Sequence, residues 1–372
     1  MSGKNQASNR TSCSAKMKID EACESRYDPV DDNWTLFAPN RISRPIELDI
    51  ASDLKKTEAS CPFCPGQESQ TPPAIWLGKA IGKQQDPVRV QLTQQVEPEL
   101  DWSVRAFPNR FPVVQHDAIT SPHHPPLPSK YLATTGGHEV IVDTRTHTDQ
   151  ISETSAVETQ LMFLAMKDRI NTWKQFHEIR NIVAFKNSGA AAGASLKHSH
   201  CQLIATNHLP SRLQRNQARL EAYREKRGRC IHCDLIGEET KEGKRIVAID
   251  EDLIAYCPYA SPLPMLARIT TRQHHAAFEE LSDSLVLKIA SLTRDVILGL
   301  QKIHVNASYN LVLSTVPPNS SCNSEAFHWT LDICPRLSRI AGYEIATESY
   351  INPVMPENAA LQYQEILRER NC

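Results

Sequence analysis

Charge of one sign is what this chain lacks most plainly: 41 Lys and Arg stand against 43 Asp and Glu, a formal net charge of -2 over 372 residues. A nucleic-acid tail or a polybasic membrane patch needs a large clustered excess of Lys and Arg, so neither partner is expected. No uninterrupted apolar run reaches the roughly 18 residues of a membrane span, and the N-terminus has no apolar block of the signal-peptide kind. No G-x-x-x-x-G-K-S/T stretch is present, which argues against a P-loop kinase or a simple NTPase. Cysteine is not scarce, with eleven, but only four of these fall in Cys-x-x-Cys pairs, Cys61/Cys64 and Cys230/Cys233. The scatter of the others fits thiolate ligands in a reducing compartment better than a disulfide framework, and the cytoplasm is the expected location.

The length suits two structural units of ordinary size. Residues 1–25 are polar and aperiodic and read as a mobile tail, with order expected from Arg26 onward, where aromatic and apolar residues alternate. His116 to Lys130 is crowded with Pro and His and reads as an exposed loop, its His123 and His124 as surface residues. Apolar residues recur every three or four positions over Glu153 to Phe176 and Leu281 to His304, predicting two helices. These helices expose an internal duplication. CPFC at 61, VRAFPNRFPVV, HEVIVDTRTH, a helix, NIVAFKNSG and HSHCQLIA recur in the same order as CIHC at 230, LIAYCPYASPLP, MLARITTRQHH, a helix, YNLVLSTVPP and HWTLDICP. The expected architecture is therefore α+β, with one unit over 26–210 and a second over 211–372, each an antiparallel sheet with a single long helix.

Aligning the two copies assigns ligands. Cys61, Cys64, His147 and His198 in the first copy correspond to Cys230, Cys233, His274 and His328 in the second. Cys₂His₂ is the composition of a closed tetrahedral zinc site, so two Zn²⁺ per chain are expected, the second replaceable by another transition metal. In that second set His275 beside His274, and His232 inside the cysteine pair, leave the imidazole ligand open.

The copies differ where chemistry is expected. HSHCQ in the first stands against HWTLD in the second, so His200 has Thr330 as its counterpart. On a strand His198, His200 and Gln202 share one face, and Ser199 and Cys201 share the other. The run Ser188 to Ser195 contains only Gly, Ala and Ser, so its backbone N–H groups can approach a ligand closely, and Ser195 adds a hydroxyl; both suit phosphate oxygens. A neutral imidazole facing phosphorus can act as general base or as a nucleophile that forms a covalent phospho-histidine, with the Gln202 amide donating to a non-bridging oxygen.

The stretch NSGAAAGASLKHSHCQ resembles the active-site segment of galactose-1-phosphate uridylyltransferases, two-copy members of the histidine-triad superfamily with the pattern N-x-G-x-x-x-G-x-S-x-x-H-P-H-G-Q. The resemblance extends from about Arg26 to Pro356 and includes RYDPVDDNWTLFAPNRISRP, CPFC, DTRTH and AGYEIATESYINPVMPE. It implies two tandem histidine-triad-like units and a ping-pong transfer, in which His200 takes the nucleotidyl group of a nucleotide sugar, releases sugar 1-phosphate and passes the group to a second phosphate acceptor. It further implies that Ser195, Gln202, Asn187 and Gly193 contact phosphate, that Arg41 and Arg44 lie near phosphate and sugar, and that Asn109 lies near the nucleotide. Glu344 would reach the hexose across a homodimer interface. HSHCQ in place of HPHGQ, Arg110 after Asn109, Ser338 and Tyr350 depart from the usual pattern toward the plant ADP-glucose phosphorylase branch. Uridylyl transfer to galactose 1-phosphate is thus the leading expectation, adenylyl transfer from ADP-glucose to inorganic phosphate the alternative, and simple nucleotide hydrolysis a third.

Overall fold

The computed structural model describes residues 23–39, 41, 61–81, 86–96, 101–116, 129, 132–319 and 323–371. Arg44, His123, His124 and all but the end of the expected N-terminal tail lie outside the described residues.

The strands run in chain order as β1 (Glu24–Asp28), β2 (Asn33–Phe37), β3 (Ala74–Ile81), β4 (Asp86–Val96), β5 (Val104–Pro108), β6 (Gly136–Val142), β7 (Asn181–Ser188) and β8 (His200–Thr206). They continue as β9 (Ile246–Ile249), β10 (Leu253–Tyr256), β11 (Ala267–Thr271), β12 (Tyr309–Ser314), β13 (Thr330–Pro335) and β14 (Tyr350–Asn352). The helices are α1 (Ala156–Lys174), α2 (Ser211–Arg227), α3 (Ile231–Glu242), α4 (Asp283–Ile303), α5 (Gly342–Thr347) and α6 (Pro356–Asn371).

Eleven strands form one sheet in the order β4-β3-β5-β6-β8-β7-β12-β13-β11-β10-β9. The α+β class and the antiparallel pairing stand, and the two duplicated helices fall within a few residues of their expected bounds. The halves do not remain separate sheets: β7 pairs antiparallel with β12, Asn187 opposite Asn310 and Phe185 opposite Val312, so the edge strand of one copy is completed by that of the other. A small second sheet, β1-β2-β14, carries the one parallel pair among the described residues, between β2 and β14. One expectation needs correction. The second copy does not rest on one long helix, because α2, α3, α5 and α6 accompany α4. The α2 segment carries only one buried residue, Leu220, and so offers too thin an apolar stripe to announce itself by periodicity.

Both long helices pack on one face of the sheet. Leu161, Phe163 and Met166 of α1 and Val286, Ile289 and Val296 of α4 join Trp76, Ile141, Leu203, Leu311 and Trp329 in one buried core. Local chemistry starts each helix. Ser155 and Glu158 form a reciprocal capping box at α1, and Ser282 Oγ accepts from Leu285 N at α4. The α1 cap reaches further, because Glu158 Oε1 also accepts from Thr144 Oγ1 at 2.8 Å, just beyond β6. Arg294 of α4 donates to the Ile151 and Thr154 carbonyls, 2.6 and 2.7 Å away, so the second copy's helix ties down the turn leading into the first copy's helix.

A buried ion pair locks α1 onto β6. Arg169 donates to both Glu139 oxygens, at 2.8 and 2.7 Å, and Trp173 Nε1 adds a third bond at 2.7 Å. Gly137 lets the indole lie flat on the strand, since a Cβ there would stand 1.8 Å from Trp173 Cζ2. Arg169→Met would strand a carboxylate that is 3 % exposed, and it is expected to cost about 3–5 kcal/mol in urea unfolding.

Candidate active site and paired metal centres

The face of the sheet opposite the two helices carries the candidate site residues. Cys61 and Cys64 lie in the turns before β3, His147 just after β6 and His198 just before β8, and their four ligand atoms lie within 4.8 Å of one another. His198 Nδ1 is 3.7 Å from Cys61 Sγ and 3.5 Å from Cys64 Sγ, and His147 Nδ1 is 3.3 Å from Cys64 Sγ. A tetrahedron with metal–sulfur bonds near 2.3 Å and metal–nitrogen bonds near 2.05 Å has S···N edges of about 3.6 Å. The residues therefore fit a four-coordinate ion. His198 is also correctly turned: its Nε2–H donates to the Thr144 carbonyl at 2.9 Å, leaving the Nδ1 lone pair toward the cysteines. Burial holds its pKa at about 4, so the imidazole is neutral and able to ligate.

The second group repeats this logic. Cys230, at the start of α3, and Cys233 within it converge with His274 and His328. Cys233 Sγ is 3.4 Å from His274 Nδ1 and 3.6 Å from His328 Nδ1. The Nε2 atoms face Ser324 O and Thr271 Oγ1, both 3.2 Å away. The hydrogen bond from Cys233 favours the Cys230 thiolate and lowers that pKa to about 3. Of the two neighbouring imidazoles, His274 stands in the group, whereas His275 turns to Thr271 Oγ1 and the Gln273 carbonyl. His232 is buried and edge-on to His328, with ring centroids 6.2 Å apart.

Two residues beyond His198, at the start of β8, the His200 ring is 6 % exposed and packs edge-on against Phe63 with centroids 5.2 Å apart. Its Nδ1–H donates to the His198 carbonyl at 2.8 Å, so the lone pair lies on Nε2. Burial first, and then the Lys186 ammonium, lower its pKa against the opposing effects of the carbonyl and Asp143, which favours neutral imidazole. The expected division of faces holds. Ser199 and Cys201 point to the other side, where Lys186 Nζ bonds Asp143 Oδ2 and Ser199 Oγ, each at 2.6 Å, and Cys201 Sγ lies 3.7 Å from Asp143 Oδ2. Burial would strip the proton from Lys186 and add one to Asp143, but their mutual attraction keeps both charged.

The glycine-rich loop closes over the C-terminal end of β7. Gly189 and Gly193 have φ of 82° and 85°, and a Cβ on Gly189 would stand 2.2 Å from Ser308 Oγ. Asn187 Oδ1 accepts from Asn310 Nδ2 at 2.8 Å, and the same amide also bonds the Ala192 carbonyl at 2.9 Å, so β12 of the second copy holds the loop. Ser195 is exposed on the loop, and Gln202 lies on β8 with its Oε1 2.9 Å from His138 Nε2. Asn109 follows β5, its Nδ2 3.1 Å from the same ring nitrogen. His200, Gln202, Asn109, Asn187 and the loop are thus brought to one region of the sheet. Arg41 is exposed, and no hydrogen bond among the described residues joins its side chain to this region. Glu344 instead caps its own short helix, accepting from Ala341 N at 3.0 Å.

In the second copy the equivalent face is filled. Thr330 occupies the place of His200, and Asp332, in the place of Gln202, forms a bidentate pair with Arg268 at 2.7 and 2.8 Å. Sequence reading missed this ion pair, as well as His138 and the Asp143–Lys186–Ser199 group. His138 was detectable, because it stands two residues before Val140 on the strand face that carries Val142 opposite His200.

A buried neutral imidazole lies beside a glycine-rich loop on a duplicated antiparallel unit with a Cys₂His₂ group in each copy, and together with its relatives this marks the chain as a nucleotidyltransferase. The chain belongs to the family described as a domain of unknown function, DUF4921, which matches residues 127–370. Its curated relatives are those of the galactose-1-phosphate uridylyltransferase family. The chain is 28 % identical over 370 residues to an ADP-glucose phosphorylase of Arabidopsis thaliana, covering 98 % of this chain and 99 % of the relative. It is 25 % identical over 349 residues to a galactose-1-phosphate uridylyltransferase of Thermotoga maritima, covering 92 % and 98 %. A crystal structure of an Arabidopsis thaliana ADP-glucose phosphorylase with bound ADP-glucose superposes with a TM-score of 0.73 at 27 % identity, over 92 % of this chain and 99 % of that one.

Each four-residue group is expected to hold its own metal ion. Elemental analysis of Cys61→Ser and Cys230→Ser should each find one ion per chain fewer than the parent, whereas His200→Ala should retain the parent's content.

Proposed function

We propose that this protein moves a nucleotidyl group from a nucleotide sugar to a phosphate acceptor through a covalent nucleotidyl-His200. The observation that carries the reading is the orientation of His200, with Nδ1–H bound to a main-chain carbonyl and Nε2 left as the nucleophilic atom. Nε2 attacks the α-phosphorus, a P–N bond forms, and the bond from phosphorus to the bridging oxygen breaks, so that sugar 1-phosphate leaves with that electron pair. The imidazole then carries positive charge, which the His198 carbonyl stabilises. In the second half-reaction an acceptor phosphate oxygen attacks the same phosphorus, and the P–N electrons return to Nε2. The Gln202 amide and the N–H groups of the 189–195 loop would donate to the non-bridging oxygens as charge grows there. Ser195, Asn187 and Gly193 would serve the phosphates, Asn109 the nucleoside, and Arg41 and Arg44 the phosphate and sugar.

Zinc is the ion that best suits both groups, since two thiolates and two neutral imidazoles at tetrahedral spacing match its preference. We assign it a structural role: it holds His198, and through the His198 carbonyl the ring of His200. The tandem units are taken as 26–210, with the nucleophile, and 211–372. A homodimer is supported by Ile340 and Ile345, 51 % and 75 % exposed on either side of Glu344, which would then reach the partner's hexose. A cytoplasmic location is supported by the eight described cysteines, all free thiols. No helix among the described residues is long and apolar enough to cross a membrane.

Two donors fit this chemistry. UDP-glucose with hexose 1-phosphate as acceptor follows the uridylyltransferase relatives, and ADP-glucose with inorganic phosphate follows the phosphorylase. The higher identity and fuller coverage of the phosphorylase favour the second. Each donor, labelled at its α-phosphate, should be incubated separately with metal-replete protein. The true donor is expected to leave acid-labile label on His200 and release glucose 1-phosphate, and His200→Ala should take none. Failure of both donors to label the wild-type chain would defeat this reading.

A further inference from the structure

Gln202 has two nearly isosteric ends, and only one helps the reaction proposed above. With its nitrogen toward the phosphate it donates to a growing negative charge; with its oxygen there it repels it. Resting on that reading, we propose that His138 is a positioning residue that fixes the Gln202 amide with its nitrogen toward the reacting phosphorus.

The hydrogen bonds around the His138 ring select one arrangement. Val113 N–H points at His138 Nδ1 from 3.3 Å, so Nδ1 must accept and the proton must lie on Nε2. Nε2–H then donates to Gln202 Oε1 at 2.9 Å, and the Gln202 NH₂ is turned away from His138. The reversed amide would require a bare Nε2 and a proton on Nδ1, setting two N–H groups against each other at the Val113 contact. The ring is 7 % exposed, and burial lowers its pKa, so neutral imidazole with a single proton is the favoured form.

The same ring also touches the nucleoside side. Asn109 N donates to the His138 carbonyl at 2.7 Å, and its side-chain amide nitrogen lies 3.1 and 3.4 Å from Nε2 and Nδ1, a near-equal spacing that places it over the ring face, so it does not compete for the Nε2 proton. Asn109 Oδ1 is already occupied by Phe111 N at 2.8 Å, so its amide also has a fixed sense. His138 therefore stands between the residue assigned to the nucleoside and the one assigned to the phosphate.

The test is a double-mutant cycle read on the rate of His200 labelling at saturating donor. His138→Phe keeps a buried ring without the donor and is expected to slow labelling about 10-fold to 100-fold, with metal content unchanged. In a Gln202→Ala background the same change should have almost no effect, because there is no amide left to orient. A loss of equal size in both backgrounds, or no loss in the first, would overturn the assignment. If His138→Phe does not fold, His138→Gln, which can keep a donor where Nε2 stood, should outperform His138→Asn, which cannot reach; equal rates would overturn it. Wild-type chain that takes no label from either donor would remove the transfer reading itself and this proposal with it. Labelled wild type with an additive cycle removes only the role of His138.

Discussion

One hydrogen bond, from His200 Nδ1–H to the His198 carbonyl, constrains everything built around it. It joins a side chain of the first Cys₂His₂ group to the imidazole proposed as nucleophile, two residues apart in the chain. Because strand side chains alternate, the pair share a face while Ser199 and Cys201 meet Lys186 and Asp143 behind them. Any shift in register would bring the wrong set forward. The structure guards against that from both ends. Thr144, pinned by the α1 cap, fixes the His198 ring, and the buried Lys186–Asp143 pair clamps β6 and β7 to Ser199 beside His200.

The duplicated unit shows what separates a scaffold from a site. Both copies keep the Cys₂His₂ group, with Nδ1 toward the cysteines and Nε2 toward an oxygen acceptor. Only the first copy keeps an open imidazole. In the second, Arg268 and Asp332 fill the corresponding face with a partly buried bidentate pair, in which each charge meets the other. The second copy contributes to the first by another route, since Asn310 braces Asn187 and Ala192, and Arg294 ties down the turn before α1.

Much of this was legible in the sequence because it repeats. The paired cysteines and histidines named two groups whose side chains do converge, and the mismatch between HSHCQ and HWTLD set His200 apart from Thr330. The glycine-rich run marked the loop, and three-to-four-residue periodicity marked α1 and α4. What escaped depends on tertiary neighbours. Lys186 reads as an ordinary polar position in a strand until Asp143 and Ser199 are seen beside it, and His138 gains meaning only from Val113 N, Asn109 and Gln202. The fusion of the two sheets was equally hidden, because no local pattern in β7 or β12 names its partner across 120 residues of chain. The choice between His274 and His275 is a matter of where a turn ends, and spacing alone does not decide it.

The β7–β12 seam also gives the second copy a part that does not depend on its side chains. Each of these strands would be a bare ladder of unpaired N–H and C=O groups if its neighbour were removed, and such an edge invites pairing with any other chain that offers one. Deleting the second copy would therefore leave the first with a sticky rim beside its own glycine-rich loop. The second copy thus covers an edge that the first would otherwise expose, and the repeat persists in the backbone where the side chains have diverged.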